Sequence, residues 1–377
     1  MIEIRPAQSK DLSALLELES SCFATDRISR RSFRRWLSHP DCVFTVALIE
    51  QQVSAYALVT LRRGTHLARL YSLAVAPSAR GQGLAEKLIK ASEDGARDAG
   101  SIYLRLEVAS TNYAAITLYK KLGYKQFGLY EDYYEDHGPA LRMEKCIHPY
   151  TPSGDSRTLP WLAQTTAFTC GPSALMMAMA GLPGDYQPSP EDEIQLWREA
   201  TTVFMTSGHG GCHPLGLALA AQRRGFYAQA WINNPGPLFL DGVRDENKKR
   251  VMRIAHESFV SQCEAAALPV HYEDMDQQQV IDHFQSGANV LILISTYRMD
   301  SMKAPHWVVM SGYDDRCLYV HDPDRGDTST ASMQDEDARS ALDCQHLPIA
   351  RDNFNAMSRF GSSRLRSVVV ISSAAKS

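Results

Sequence analysis

The stretch Leu73-Ala74-Val75-Ala76-Pro77-Ser78-Ala79-Arg80-Gly81-Gln82-Gly83-Leu84-Ala85 runs from an apolar strand through a glycine-rich turn into the start of a helix. Backbone N–H groups at a helix N-terminus, backed by the positive end of the helix dipole, hold a pyrophosphate where glycine lets the backbone come close. Gly81 and Gly83 supply that approach. A strand-glycine-helix turn is also an ordinary tight turn, so the flanking sequence has to decide. On either side, Ile2 to Pro6, Val43 to Ile49, Val53 to Leu61, Leu67 to Val75 and Ile102 to Val108 read as strands. Residues 11–22, 84–99 and 111–122 place apolar side chains three and four apart, as amphipathic helices do. From Met1 to about Cys146 the pattern is therefore α/β or α+β.

The order Val75-x-Pro77-x-x-Arg80-Gly81-x-Gly83-x-Ala85 resembles the coenzyme A loop of the GNAT acetyltransferase superfamily. Downstream, Glu107-Val108-Ala109-Ser110-Thr111-Asn112, then Ala115-Ile116-Thr117-Leu118-Tyr119 and the closing Leu122-Gly123-Tyr124, resembles the later motif of the RimI-like branch, which acetylates protein N-terminal amines. The resemblance implies a GNAT fold, a mixed central sheet flanked by helices, with acetyl-CoA as co-substrate and a peptide or protein N-terminus as acceptor. It implies that the backbone of Arg80, Gly81, Gln82, Gly83, Leu84 and Ala85 binds the pyrophosphate, that Leu73, Ala74 and Val75 line the pantetheine arm and acetyl group, and that Asn112 helps hold the arm. Glu107 would be the general base and Tyr119 the general acid that meets the leaving coenzyme A thiolate. The residue types suit the reaction, since an ammonium must lose a proton before attacking the thioester and the leaving sulfur benefits from a donor. Ala109 stands where the branch usually has Arg, Thr111 where it has Ser, and Pro139 near a usual acidic position, while Tyr133 and Tyr134 are retained.

A second constellation begins at Gln164-Thr165-Thr166-Ala167-Phe168-Thr169-Cys170-Gly171-Pro172, where a cysteine opens an apolar helix six residues after a glutamine. The dipole of a helix N-terminus favours a thiolate, and a nearby imidazolium favours it further. His306 starts an apolar strand, and His321-Asp322-Pro323 closes the next one. Gln, Cys, His and Asp in this chain order resemble the papain-like clan, most closely the bacteriocin-processing peptidase family that removes double-glycine leaders, over about residues 157 to 372. That resemblance implies a papain-like α+β fold with Cys170 as nucleophile, His306 as base and acid, Asp322 orienting His306, and Gln164 donating to the oxyanion. The chemistry needs such a set, because the tetrahedral intermediate carries negative charge and the imidazole must be held in one tautomer. Thr169 replaces the Asp common before the nucleophile. A transpeptidase, or a catalytically silent peptide-binding domain, remains the alternative reading of this half.

The rest of the chain bounds these readings. With 377 residues, 44% hydrophobic and 22% charged, it is long enough for two cores and too apolar for general disorder. Up to residue 150 there are 20 basic and 17 acidic residues, and beyond it 19 and 26. Neither half carries the strong positive field of a nucleic-acid-binding protein. The first residues lack the apolar segment of a secretory signal and no stretch has the length of a membrane helix, so a cytoplasmic protein without membrane or nucleic-acid partners is expected. The eight cysteines include no C-x-x-C pair, which argues against structural zinc and against a disulfide scaffold. His148-Pro149-Tyr150-Thr151-Pro152-Ser153-Gly154-Asp155-Ser156 has linker composition, which gives the division 1–147, 148–156 and 157–377. In the second half, helices are expected at 171–180, 191–204, 214–224 and 250–267 and strands at 290–296, 306–313, 317–321 and 365–371, an α+β order.

Three further segments carry little function. His209-Gly210-Gly211-Cys212-His213-Pro214 collects ligand types, but the spacing suits a glycine loop capped by Pro214 at a helix start better than a metal site. Arg30-Arg31-Ser32-Phe33-Arg34-Arg35-Trp36 reads as a helix face with arginine over the Trp36 ring, and Asp245 to Arg250 as a solvent-facing charge run. The whole points to an acetyl-CoA-dependent N-acetyltransferase joined to a cysteine peptidase domain, the two sharing a peptide substrate.

Overall fold

A computed structural model describes residues 2–131, 133–148, 153–205, 208–241, 243–297, 304–325 and 344–373. The chain divides into two compact units, Met1–Pro152 and Ser153–Ser377. Pro149 to Pro152 of the expected connection lie outside the described residues. Gly154–Ser156, also expected in the connection, is instead a strand of the second unit.

The first unit runs β1 (Ile2–Pro6), α1 (Leu12–Cys22), α2 (Arg30–Trp36), β2 (Cys42–Ile49), β3 (Gln52–Leu61), β4 (Leu67–Val75), α3 (Leu84–Asp98), β5 (Tyr103–Ala109), α4 (Tyr113–Lys121), β6 (Lys125–Tyr130) and β7 (Ala140–Cys146). Its seven-stranded sheet has the order β1-β2-β3-β4-β5-β7-β6. Among the described residues of this sheet only β4 and β5 pair in parallel, and they do so just from Leu67↔Tyr103 to Leu70↔Leu106. Immediately beyond, the β3–β4 ladder skips Tyr71, a bulge that bends β4 away. The sheet therefore opens between Tyr71–Val75 and Glu107–Ala109. Helix α3 covers one face through Leu84, Leu88, Ser92 and Ala96, spaced four apart, with Gly95 so close to Val43 that a Cβ there would lie 2.7 Å from its Cγ1. On the other face α1 and α2 bury Leu15, Leu18, Phe33 and Trp36 against Phe44 and Tyr56. Arg35 lies over the Trp36 ring at 5.2 Å, while Phe33 and Trp36 themselves are core residues.

The second unit runs β8 (Gly154–Ser156), α5 (Cys170–Ala180), α6 (Pro190–Ala200), α7 (Pro214–Arg223), β9 (Phe226–Ile232), α8 (Glu246–Ala265), β10 (Val270–His271), α9 (Gln277–Gln285), β11 (Asn289–Ser295), β12 (Pro305–Asp314), β13 (Cys317–His321), β14 (Leu347–Ala350), α10 (Arg351–Met357) and β15 (Ser367–Ser373). The sheet order is β10-β9-β15-β11-β12-β13-β14, with β8 added on β12. Val290 to Ile294 are all fully buried, because helices cover both faces of β11, and this is why the strand reads as one apolar run. Leu291 and Leu293 join α5 and α7 in one core, and α9 packs on β11 and β12. Strand β9 falls between α7 and α8, with α8, α9 and α10 still to come, so the order is more mixed than helices followed by strands. Helix α8 starts at Glu246 with Asp245 as its N-cap, so the charge run, solvent-facing as expected, forms the first turn of a helix. Among the described residues no helix is long and apolar enough to cross a membrane.

Candidate active sites

In the first unit the glycine turn ends at α3 as the sequence requires. Gly81 and Gly83 have φ of 78° and 75°, the left-handed region that costs glycine nothing. A Cβ at either would meet nothing within 4 Å, so the approach to the turn is open, and Gly83 caps α3 without any side-chain bond. The first N–H groups of a helix have no intrahelical partner. These features fit a pyrophosphate held by the backbone of 80–85. Leu73, Ala74 and Val75 form the β4 side of the sheet opening and Glu107 stands at the β5 side.

Glu107 does not stand alone there. Arg69 Nε donates to its Oε2 at 2.8 Å, and an Arg69 Nη2 donates to the Tyr133 hydroxyl at 2.6 Å. Both members of the ion pair are shielded, with side chains 14% and 3% exposed. Tyr119 is buried on α4, and that burial pushes its phenol above the ordinary value, so it stays protonated. Burial first, then the neighbouring Tyr133, Glu107 and Tyr119, push Tyr134 the same way, which gathers these four side chains into one neighbourhood. Asn112 is the N-cap of α4: its Oδ1 accepts from Ala115 N at 3.2 Å, leaving Nδ2 for any contact with a pantetheine arm.

The second unit assembles the thiol set from three elements. Cys170 is the first residue of α5, and Gly171 follows it because a Cβ there would sit 2.9 Å from Cys212 Cβ and 3.2 Å from Trp307 Cδ1. His306 lies near the start of β12 and Asp322 just past β13. The antiparallel hairpin places His306 Nε2 2.7 Å from Asp322 Oδ1, both residues buried. The Asp322 bond leaves Nδ1 of the ring over, and the Cys170 sulfur is close enough to act on the ring electrostatically. Burial opposes charge on His306, but the Asp322 carboxylate and the Cys170 sulfur outweigh it and hold the ring well above the ordinary histidine value. The arrangement can therefore carry an imidazolium beside the Cys170 sulfur. Asp322 is fixed in turn, its Oδ1 accepting from Asp324 N at 2.9 Å and its carbonyl from Trp161 Nε1 at 2.8 Å.

Gln164 joins this group by its backbone, whose N–H donates to Pro323 O at 2.9 Å. Its side-chain Oε1 is buried without a partner. The adjacent Thr165 N–H donates to Glu193 Oε1 at 2.8 Å. The histidine-rich motif packs as structure: His209 lies against Phe168 at 4.7 Å, and burial, reinforced by Cys170, keeps the Cys212 thiol protonated. His213 Nδ1 accepts from Leu215 N at 3.1 Å, so its Nε2 carries the proton and donates to His256 Nδ1 at 3.0 Å.

A family model described as Peptidase_C39 like family matches residues 159–372, more than half of the chain, and the Acetyltransferase (GNAT) family model matches residues 12–124. The chain belongs to the Peptidase_C39 like family. Ahead of that domain it carries a GNAT acetyltransferase domain, for which acetyl-CoA is the co-substrate. An uncharacterized N-acetyltransferase of Methanocaldococcus jannaschii is 35% identical over 143 residues, which is 38% of this chain and 90% of that protein. A Bacillus subtilis protein with the provisional name ribosomal protein bS18-alanine N-acetyltransferase is 26% identical over 135 residues, 36% of this chain and 88% of that protein. The ribosomal-protein-S18-alanine N-acetyltransferase of Escherichia coli, a crystal structure, is 26% identical with a TM-score of 0.37 and covers 40% of this chain and 97% of that one. In the GNAT domain, sequence reasoning missed Arg69, whose only signal was a charge inside an otherwise apolar strand. In the C39-like domain it missed Glu193, an acidic residue among several at a helix start.

Proposed function

We propose that the chain is a two-site acyl-transfer enzyme: its GNAT domain acetylates the N-terminal amine of a peptide or protein, and its C39-like domain cleaves a peptide through Cys170. In the first site the pyrophosphate rests on the backbone of 80–85 and the pantetheine arm enters the opening between β4 and β5 beside Leu73, Ala74, Val75 and Asn112. Glu107 takes a proton from the acceptor ammonium. The amine then attacks the thioester carbon, the C–S bond breaks, and Tyr119 gives its proton to the leaving thiolate. The names of the relatives support an N-terminal amine as acceptor.

In the second site Cys170 attacks the peptide carbonyl while Gln164 stabilises the oxyanion, His306 protonates the leaving amine, and water activated by His306 releases the acyl group. The observation that carries this reading is the buried His306–Asp322 bond at 2.7 Å, with the Cys170 sulfur at the start of α5 acting on the same ring. Iodoacetamide labelling at pH 7, with the labelled residue located by mass spectrometry, tests it. Cys170 is expected to react at least about tenfold faster in the wild type than in His306→Ala, the imidazolium being what favours the thiolate. Equal rates in the two proteins would leave the domain as a peptide-binding module. If one peptide passes through both sites, cleavage in the presence of acetyl-CoA yields a product with an acetylated new N-terminus, and products that keep a free amine would separate the two activities.

A further inference from the structure

The segment from Leu159 to Thr169, which carries Gln164 up to the nucleophile, forms no strand or helix and is held by discrete bonds. Three come from one direction, the end of β13: His321 Nε2 to Leu159 O at 3.2 Å, Trp161 Nε1 to Asp322 O at 2.8 Å and Gln164 N to Pro323 O at 2.9 Å. The fourth comes from α6, where Glu193 accepts from Thr165 N. Gln164 thus sits between its two nearest anchors. Its own Oε1 bonds to nothing, so the direction of its amide depends on the backbone on either side.

Glu193 is 1% exposed. Burying a carboxyl group is costly unless its bonds are good, and an apolar side chain would fill the place without that cost. The first turn of α6, capped by Ser189, offsets part of it through the helix dipole. We infer that Glu193 is a positioning residue for the thiol site, fixing the Gln164–Thr165 peptide plane so that the Gln164 amide meets the oxyanion formed at Cys170. This rests on the reading of Cys170 as an active nucleophile.

Two reactions of the same sulfur separate positioning from general support. With p-nitrophenyl acetate, Cys170 Sγ adds to the carbonyl carbon, the C=O electrons move to oxygen as an oxyanion, and collapse expels p-nitrophenolate, leaving acetyl-Cys170. With iodoacetamide, the same sulfur displaces iodide at a saturated carbon and no oxyanion forms. Losing an oxyanion donor costs about 10²- to 10³-fold, so a displaced donor in Glu193→Ala is expected to slow acetylation of Cys170 at least about tenfold. Alkylation should stay within about twofold, and Glu193→Gln, which keeps an acceptor oxygen for Thr165, should recover acetylation to within about threefold of wild type. A parallel fall of both reactions, or no fall in either, would overturn the inference. Failure of the wild type to form acetyl-Cys170 at all, read by mass spectrometry, would overturn the nucleophile reading beneath it, a result distinct from the other two.

Discussion

Arg69 changes what the proposed acid–base pair of the first domain looks like. A carboxylate acting as base is usually pictured free at a strand end, yet Glu107 is clamped by a guanidinium that also grips Tyr133. The clamp fixes the carboxylate's position at the sheet opening, and a lysine cannot reproduce its two-pronged contact. Glu107→Gln should lower kcat for acetylation of a peptide with a free N-terminal alanine by about 10²-fold, the usual worth of a positioned base, while leaving coenzyme A affinity unchanged in a calorimetric titration. Tyr119→Phe should do the same through loss of the donor. Because burial raises the Tyr119 phenol, the acid form persists as pH rises. The rate profile from pH 8 to 10 should therefore show no loss of kcat, and a fall with a midpoint inside that range would remove Tyr119 as the donor.

Between α7 and α8 the buried His213–His256 pair makes a pH prediction. Burial lowers both rings, with His256 also acting on His213. A base whose folded value is depressed contributes stability that is present above the unfolded value of about 6.5 and is lost as pH falls below it. The urea midpoint of the second unit should thus drop between pH 7.5 and pH 5.5, and it should drop less in His256→Gln, which keeps an acceptor for His213 but cannot be protonated. Equal drops would exonerate the pair. How much of such elements the sequence disclosed depended on how local the cause was. The glycine turn, the Cys170 helix and the apolar strands β4, β11 and β12 follow from short-range pattern, and all were legible. Strands β8, β10 and β14 are two to four residues long and owe their existence to a neighbour already in place, so no periodicity announces them. The Arg69–Glu107 and Thr165–Glu193 contacts join positions 38 and 28 apart, which pattern cannot pair. Gly216, read only as part of an apolar helix, is required because a Cβ would lie 2.6 Å from Ala200 Cα. Gly216→Val should cost about 1–3 kcal/mol in a denaturant titration.

Each unit has its own core among the described residues: a cluster of the second draws on residues 159–371, and two clusters of the first lie within 15–147. Calorimetry should accordingly resolve two unfolding transitions, with acetyl-CoA at about 100 times its Kd adding about 2.7 kcal/mol to the first unit and nothing to the second. A single transition that shifts as a whole would mean that the cores are coupled. The two sheets also differ in when they can be completed. Every strand of the first is made before residue 147, whereas β15, one of the central strands of the second, is the last to be synthesised and must be inserted between β9 and β11. On the ribosome the acetyltransferase can close while the peptidase sheet still has a gap through its middle. A nascent chain would then hold one finished sheet and one still split in two, so the surroundings of Cys170 mature later than the acetyl-CoA turn.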